Sequence, residues 1–161
     1  MLTIQKANID DAIEIKELLR ETWNSTYADI LSPDEIEKVT SEWHSLKLLR
    51  KQIKNPKVLF LVVKLGDELI ALCNTSIMKG DHINIQRLYV RPGYQGQGIG
   101  SKLIKEVSIR FPKCRKIDLE VEEQNDRAIA FYQKQGFKKV GKKVLNVASV
   151  RMPSFVMEKN M

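Results

Sequence analysis

Arg91-Pro92-Gly93-Tyr94-Gln95-Gly96-Gln97-Gly98-Ile99-Gly100-Ser101 is the stretch on which the reading of this chain turns. Ahead of it lies a strand-like run, residues 82–90 (HINIQRLYV). Behind it, residues 98–110 repeat apolar side chains at Ile99, Leu103, Ile104 and Val107, which is one face of a helix. Three glycines in five residues at a strand-to-helix junction leave backbone N–H groups of the loop and first helical turn unpaired. A ligand can approach such a backbone closely, and the helix dipole adds partial positive charge. Together these make a cradle for a pyrophosphate. A merely flexible glycine turn is the competing reading, and the immediate start of a helix argues against it.

Two common phosphate loops are excluded. A P-loop needs a Lys after its last glycine, and none stands there. A dinucleotide fingerprint would begin at the end of the strand and would need two βαβ halves. Gly96-x-Gly98-x-x-Ser101 begins five residues late, and about 80 residues remain from position 82.

The strand before the loop has a flaw in its pattern. Ile83 and Ile85 mark one face, whereas Leu88 and Val90 have the opposite parity. A regular strand cannot change phase without turning its core face outward. Either an inserted residue, a β-bulge, reconciles the halves, or Arg87 and Tyr89 face a second buried layer.

Composition agrees with a globular domain. The 161 residues are 43% apolar and 29% charged, one domain at roughly 100–200 residues per domain. No run approaches ~18–20 apolar residues, so no membrane-spanning helix is expected. The segment MLTIQKANIDD lacks the layout of a signal peptide, and Cys73 and Cys114 have no metal-ligand spacing. The expectation is a cytoplasmic protein without metal or disulfide. The net charge is +7, and it is unevenly placed: residues 1–60 hold 9 Lys/Arg against 10 Asp/Glu, residues 61–161 hold 18 against 10. The basic part suits a polyanionic ligand.

Other elements follow from local signals. A strand is expected at 2–6, then a helix over 9–21 capped by Asn8, with 22–27 ending it as a loop. Ser32-Pro33-Asp34-Glu35 starts one or two further helices running to about Lys54, stopped by Asn55-Pro56. Strands are expected at 58–65, 68–78, 82–90 and 117–121, a helix over 125–135 ended by Gly136, and a last hairpin from 137–145 and 149–158. Element order is not alternating βαβ, so the fold class is α/β (α+β), with a mixed, largely antiparallel sheet and helices on both faces.

The motifs resemble those of GCN5-related N-acetyltransferases (GNAT). Gln95-x-x-Gly98-x-Gly100 fits that family's Gln/Arg-x-x-Gly-x-Gly/Ala motif, preceded by Leu88-Tyr89-Val90 and Pro92. Leu119-x-Val121, Asn125, Ala128, Phe131-Tyr132 and Gly136-Phe137 are similar to its next block. Glu21-Thr22-Trp23…Thr26-Tyr27 and Ile85-x-Arg87-Leu88-Tyr89-Val90 look like the PaiA type of spermidine/spermine acetyltransferases.

The resemblance implies a single GNAT domain over 1–161: an acceptor side at 1–60, an acetyl-CoA-binding core at 82–137 and a C-terminal hairpin at 137–158. The sheet would splay between its two parallel strands, 82–90 and 117–121, to admit acetyl-CoA. Leu88, Tyr89 and Val90 would line the pantetheine arm, and Gln95, Gly96, Gln97, Gly98, Ile99, Gly100 and Ser101 the pyrophosphate. The Leu88 N–H would stabilise the oxyanion, and Tyr132 would protonate the leaving thiolate. Asn125, Phe131 and Lys134 complete the cofactor set. Bland readings stand beside these: Tyr132 as a core aromatic, Asn125 as a helix N-cap, Phe131 as packing, Lys134 as a solvated lysine.

The acceptor implied is a small primary amine such as a polyamine, walled by Trp23, Tyr27 and Glu120. The alternatives are a protein N-terminus or lysine, as in RimI-like enzymes, or a non-catalytic acyl-CoA-binding module. Trp23 and Tyr27 also read as core aromatics, and Glu120 and Glu122 as exposed charge. An amine with a pKa near ~10 must lose a proton before attack. Relatives often place Glu where this chain has Asn84 and Gln86, which leaves Asp81, His82, Glu120, Glu122 or solvent as the base. Trp43 is expected in the core and His44 on a helix surface. No nucleic-acid motif and no membrane anchor appear. Dimers are common in the family, so a homodimer is compatible, although no interface is readable.

Overall fold

A computed structural model describes residues 1–161. Strand β1 (Leu2–Lys6) leads through a 3₁₀ turn at Ile9–Asp11 into helix α1 (Ala12–Tyr27). Helices α2 (Pro33–Trp43) and α3 (Leu46–Lys54) follow, then strands β2 (Val58–Leu65), β3 (Glu68–Met78) and β4 (His82–Val90). Helix α4 (Ile99–Arg110), strand β5 (Lys116–Glu122), helix α5 (Asp126–Lys134) and the hairpin β6 (Lys138–Val147) and β7 (Val150–Asn160) complete the chain. One seven-stranded sheet runs in the order β1-β2-β3-β4-β5-β7-β6. Every neighbouring pair is antiparallel except β4–β5, which is parallel.

The caps lie where the sequence puts them. Asn8 and Ser32 each form a reciprocal capping box, with Asp11 and Glu35 respectively. Helix α1, however, runs through 22–27 instead of ending there. Trp23 and Tyr27 continue the stripe of Ile15, Leu18 and Leu19, and both are buried. Burying each aromatic is worth roughly 1.5–3 kcal/mol, against a few tenths per residue for the poor helix formers Thr22, Asn24, Ser25 and Thr26. Thr22 Oγ1 and Asn24 Nδ2 turn back onto the carbonyls of Leu18 and Arg20, so their polarity is absorbed within the helix.

Two apolar layers cover the sheet. On one face α4 and α5 bury Ile99, Leu103, Val107 and Ile129 against Leu61, Ala71, Ile83 and Ile85. On the other, α1 and α3 bury Ile15, Leu18 and Leu49 against Phe60, Val62 and Leu72. A third cluster joins the end of α1 and α2 to the β6–β7 hairpin through Trp23, Tyr27, Val39 and Val150.

The phase slip in β4 is a bulge, and it also creates the second buried layer. Asn74 of β3 faces Arg87, while its neighbour Thr75 faces Ile85, so Gln86 is the extra residue. Before it, Ile83 and Ile85 face the α4–α5 layer, and after it Leu88 and Val90 do. Arg87 and Tyr89 thereby turn toward α1–α3. The two readings of the sequence are one structure.

Candidate active site

Strands β4 and β5 pair only at His82↔Lys116, Ile83↔Ile117 and Asn84↔Asp118. Beyond that point β5 stays with β7, while β4 diverges with β3. The gap between them opens into a cavity of about 490 Å³. Its walls come from β4 (Leu88, Tyr89, Val90), the glycine loop, the start of α4, and α5.

The backbone orientation inside the gap follows from register. Arg91 N–H donates to Ile70 O of β3 at 2.8 Å. Backbone groups in an antiparallel strand alternate between its two edges, so the N–H groups of Leu88 and Val90 point away from β3, into the gap. Gln95 Nε2 donates to Val90 O at 2.9 Å, which places that carbonyl on the same open edge.

At the mouth of the gap the glycine loop presents its own donors. No N–H from Gly96 to Ser101 donates to another protein group. The first helical N–H that does is that of Lys102, to Gly98 O at 3.1 Å. Gly98, the N-cap of α4, is left-handed (φ 79°) and offers no side chain to fill the cradle. A Cβ on Gly100 would collide with the Phe131 ring. These open donors and the exposed cations Arg127 and Lys134 on the same wall fit a phosphate-bearing cofactor. Gln135 Nε2 ties α5 to this turn by donating to Ser101 Oγ at 2.7 Å.

Deeper in, a narrow space of about 60 Å³ continues between the strands, lined among others by Tyr27, Gln86, Arg87, Leu88, Glu120 and Tyr132. Tyr132 lines both spaces, and its ring packs edge-on to Phe131 and Phe137. Burial, with Cys73 and Tyr89 nearby, holds its phenol well above the usual range. The group is therefore protonated at neutral pH, as a proton donor must be. Asn125 caps α5, its Oδ1 accepting from Ala128 N–H at 3.2 Å, and it also lines both spaces. Cap and wall are one role.

Some expected residues lie outside the cavity lining. Gln97 belongs to the loop's run of open N–H groups, but the residue is exposed and outside the lining, its side-chain amide donating weakly to Gly93 O at 3.4 Å. Trp23 stands behind the wall: it is buried, stacked on Tyr27 at 4.2 Å and absent from both linings. Only Tyr27 of that pair reaches the inner space, and burial, with Tyr89 beside it, raises its phenol pKa well above normal. The flank of α1 gives Thr22, Ser25 and Thr26 to the outer wall instead. Their spacing on the helix, beside the buried Trp23 and Tyr27, is the sequence signal that a loop reading of 22–27 conceals.

The candidate bases are also sorted. Asp81 and His82 lie at the far end of β4 beside a separate groove, and His82 Nε2 approaches Asp118 Oδ2 at 2.8 Å. Asn84 donates to Asp118 and Gln86 accepts from Asn74. Glu122 is buried, not exposed as expected. Burial raises its pKa, and its carboxylate accepts from Gln124 N–H at 2.6 Å. Glu120 alone of these carboxylates reaches the inner space, paired with Lys143 Nζ at 3.3 Å. His44 is buried and not on a helix surface, because α2 ends with the histidine turned onto Trp23, while Trp43 is partly buried and packs edge-on to Trp23 against the core as expected. Cys73 and Cys114 are free thiols.

Comparison with known proteins adds four findings. The model of the acetyltransferase (GNAT) family matches residues 13–137. A spermidine N(1)-acetyltransferase of Thermoplasma acidophilum is 32% identical over 98% of this chain and 96% of its own length. A thialysine N-epsilon-acetyltransferase of Bos taurus is 43% identical, but over 38% of this chain and 37% of its own. Among solved structures, PaiA N-acetyltransferase from Thermoplasma acidophilum in complex with coenzyme A superposes with a TM-score of 0.86 at 30% identity. It covers 100% of this chain and 99% of that one.

Proposed function

The chain belongs to the acetyltransferase (GNAT) family, and from that premise we propose that it moves the acetyl group of acetyl-CoA to a primary amine of a polyamine such as spermidine or spermine. The observation that carries the acceptor class is the extent of the likeness to the Thermoplasma spermidine enzyme. It spans nearly both chains and so includes α1–α3, whose residues Thr22, Ser25, Thr26 and Tyr27 border the cavity. The thialysine relative matches over little more than a third of the chain.

In this reading the open N–H groups of Gly96–Ser101 hold the pyrophosphate, with Arg127 and Lys134 near its outer phosphates. Leu88 and Val90 pair with the pantetheine arm as a partner strand would. The acceptor nitrogen attacks the thioester carbon directly, in a ternary complex. As the C–N bond forms, charge gathers on the carbonyl oxygen beside the Leu88 N–H. As the C–S bond breaks, Tyr132 gives its proton to the departing sulfur. Glu120 meets the positive charge of the acceptor, and the proton leaving the nitrogen passes to water or to that carboxylate.

The test is thiol release from acetyl-CoA with spermidine, spermine and an N-terminal peptide, against an amine-free control. Release that depends on the polyamines supports the reading. Release with the peptide alone moves the acceptor class to proteins, and tight coenzyme A binding without release under any condition overturns catalysis.

A further inference from the structure

Arg87 is a buried charge without a counter-charge. The residue is 8% exposed, and no carboxylate forms an ion pair with it. Its donors go to neutral acceptors. Nη1 serves Gln52 Oε1 at 2.6 Å and Asn74 Oδ1 at 3.2 Å, and Nη2 serves the Trp43 carbonyl at 2.6 Å. Hydrogen bonds of this kind satisfy the guanidinium's geometry but leave its field uncancelled, and burying such an ion is costly. Burial pushes its pKa down to about 10, so it stays charged at neutral pH. The neighbouring His44 is held neutral and supplies no compensation.

The position of this charge is specific. Arg87 follows the bulge residue Gln86 and precedes Leu88, and it lines the inner space together with Leu88 and Tyr132. Asn74 clasps the bulge from both sides, donating to Gln86 Oε1 and accepting from Arg87. The same network that carries the charge therefore fixes the backbone that aims the Leu88 N–H.

We propose that Arg87 is a positioning residue for acetyl transfer, whose uncompensated charge stabilises the negative charge that gathers on the acetyl carbonyl oxygen beside the Leu88 N–H. The proposal rests on the role given to Leu88 above. The missing counter-charge is transient: it forms as the amine adds to the carbonyl carbon and vanishes when the C–S electron pair leaves with sulfur. Arg87 exchanges no proton in either step.

The test uses the full chain, with Arg87→Met and Arg87→Lys. The main readout is the infrared carbonyl band of bound acetyl-CoA carrying ¹³C in the carbonyl. In the unsubstituted protein the band falls below its position in water. Arg87→Met is expected to lose most of that shift and about a hundredfold in kcat, with KM for acetyl-CoA changed less than about threefold. Arg87→Lys, which keeps the charge but not the planar fork, is expected to retain most of the shift and to lie within about tenfold of the unsubstituted kcat. A folded Arg87→Met with unchanged band and kcat overturns the proposal. Should Arg87→Met not fold, Arg87→Lys decides alone: loss of its band shift shows that bonding geometry, not charge, is what matters. Raised KM for a carboxylate-bearing amine, with band and kcat intact, also overturns it and assigns Arg87 to the acceptor. An unsubstituted protein that turns over but shows no shifted band overturns the role of Leu88 instead.

Discussion

A Cβ placed on Gly100 would stand 2.8 Å from Phe131 Cζ, so the first turn of α4 and the ring on α5 touch only because position 100 has no side chain. Phe131 lines the same cavity as the glycine loop. Gly100→Ala must push the ring toward the space where the cofactor's arm would lie. The expected outcome is a loss of stability of about 1–3 kcal/mol from overpacking. A rise in KM for acetyl-CoA on the order of tenfold, about 1.4 kcal/mol, should accompany it. Urea unfolding and calorimetric titration with coenzyme A check the two halves. Adding Phe131→Leu, which shortens the offending ring, should recover part of both losses.

Tyr132→Phe separates chemistry from packing. The substitution removes the hydroxyl and keeps the ring that meets Phe131 at 5.2 Å and Phe137 at 5.5 Å between centroids. Coenzyme A affinity and the unfolding midpoint should change little. The kcat should fall by roughly 10²-fold or more if the phenol protonates the thiolate. A variant with normal kcat would return Tyr132 to the role of a core aromatic.

The glycine loop, the caps and the bulge were legible because each is written locally. Gly96 and Gly98 stand where the backbone is left-handed, Ser32 stands three residues before Glu35, and parity breaks between Ile85 and Leu88. The misreadings share a different cause. Thr22–Tyr27 looks like a loop by composition, yet tertiary burial of Trp23 and Tyr27 carries the helix through. His44 looks like surface until α2 ends and turns it onto Trp23. Arg127 reaches the cavity wall only because α5 is set across the gap by Phe131 and Tyr132, a fact of packing that no local pattern holds.

Glu120 and Lys143 make a prediction about the acceptor. Glu120 borders the inner space and pairs at 3.3 Å with Lys143, which is more than half exposed, so the pair itself contributes little to stability. Lys143 occupies the carboxylate that a cationic amine would meet. Glu120→Gln is expected to raise KM for spermidine about tenfold and to leave KM for acetyl-CoA unchanged. Lys143→Met should lower KM for spermidine by freeing the carboxylate, with the unfolding free energy within ~0.5 kcal/mol of the original. Steady-state kinetics varying each substrate in turn checks this. Unchanged spermidine KM in Glu120→Gln would remove that residue from the acceptor site.

His44 predicts how stability depends on pH. Its ring is 2% exposed, sits edge-on to Trp23 at 5.4 Å, and its Nδ1 has no hydrogen-bond partner. Burial foremost, then the charges of Arg87 and Lys16, push its pKa down to about 3 from the ordinary 6.5. The native protein thus keeps the imidazole neutral where the unfolded chain protonates it. A depressed folded pKa gives stability that is complete above about pH 6.5 and is lost as pH falls from there toward 3. The slope within that window is up to about 1.4 kcal/mol per pH unit for one proton. Between pH 7 and pH 5 the unfolding free energy should fall by about 2 kcal/mol on this account alone. His44→Phe keeps a ring against Trp23 and removes the titrating group, so its urea unfolding free energy should be flatter over the same interval. An equal slope in the variant would show that the proton taken up on acid unfolding goes to another residue.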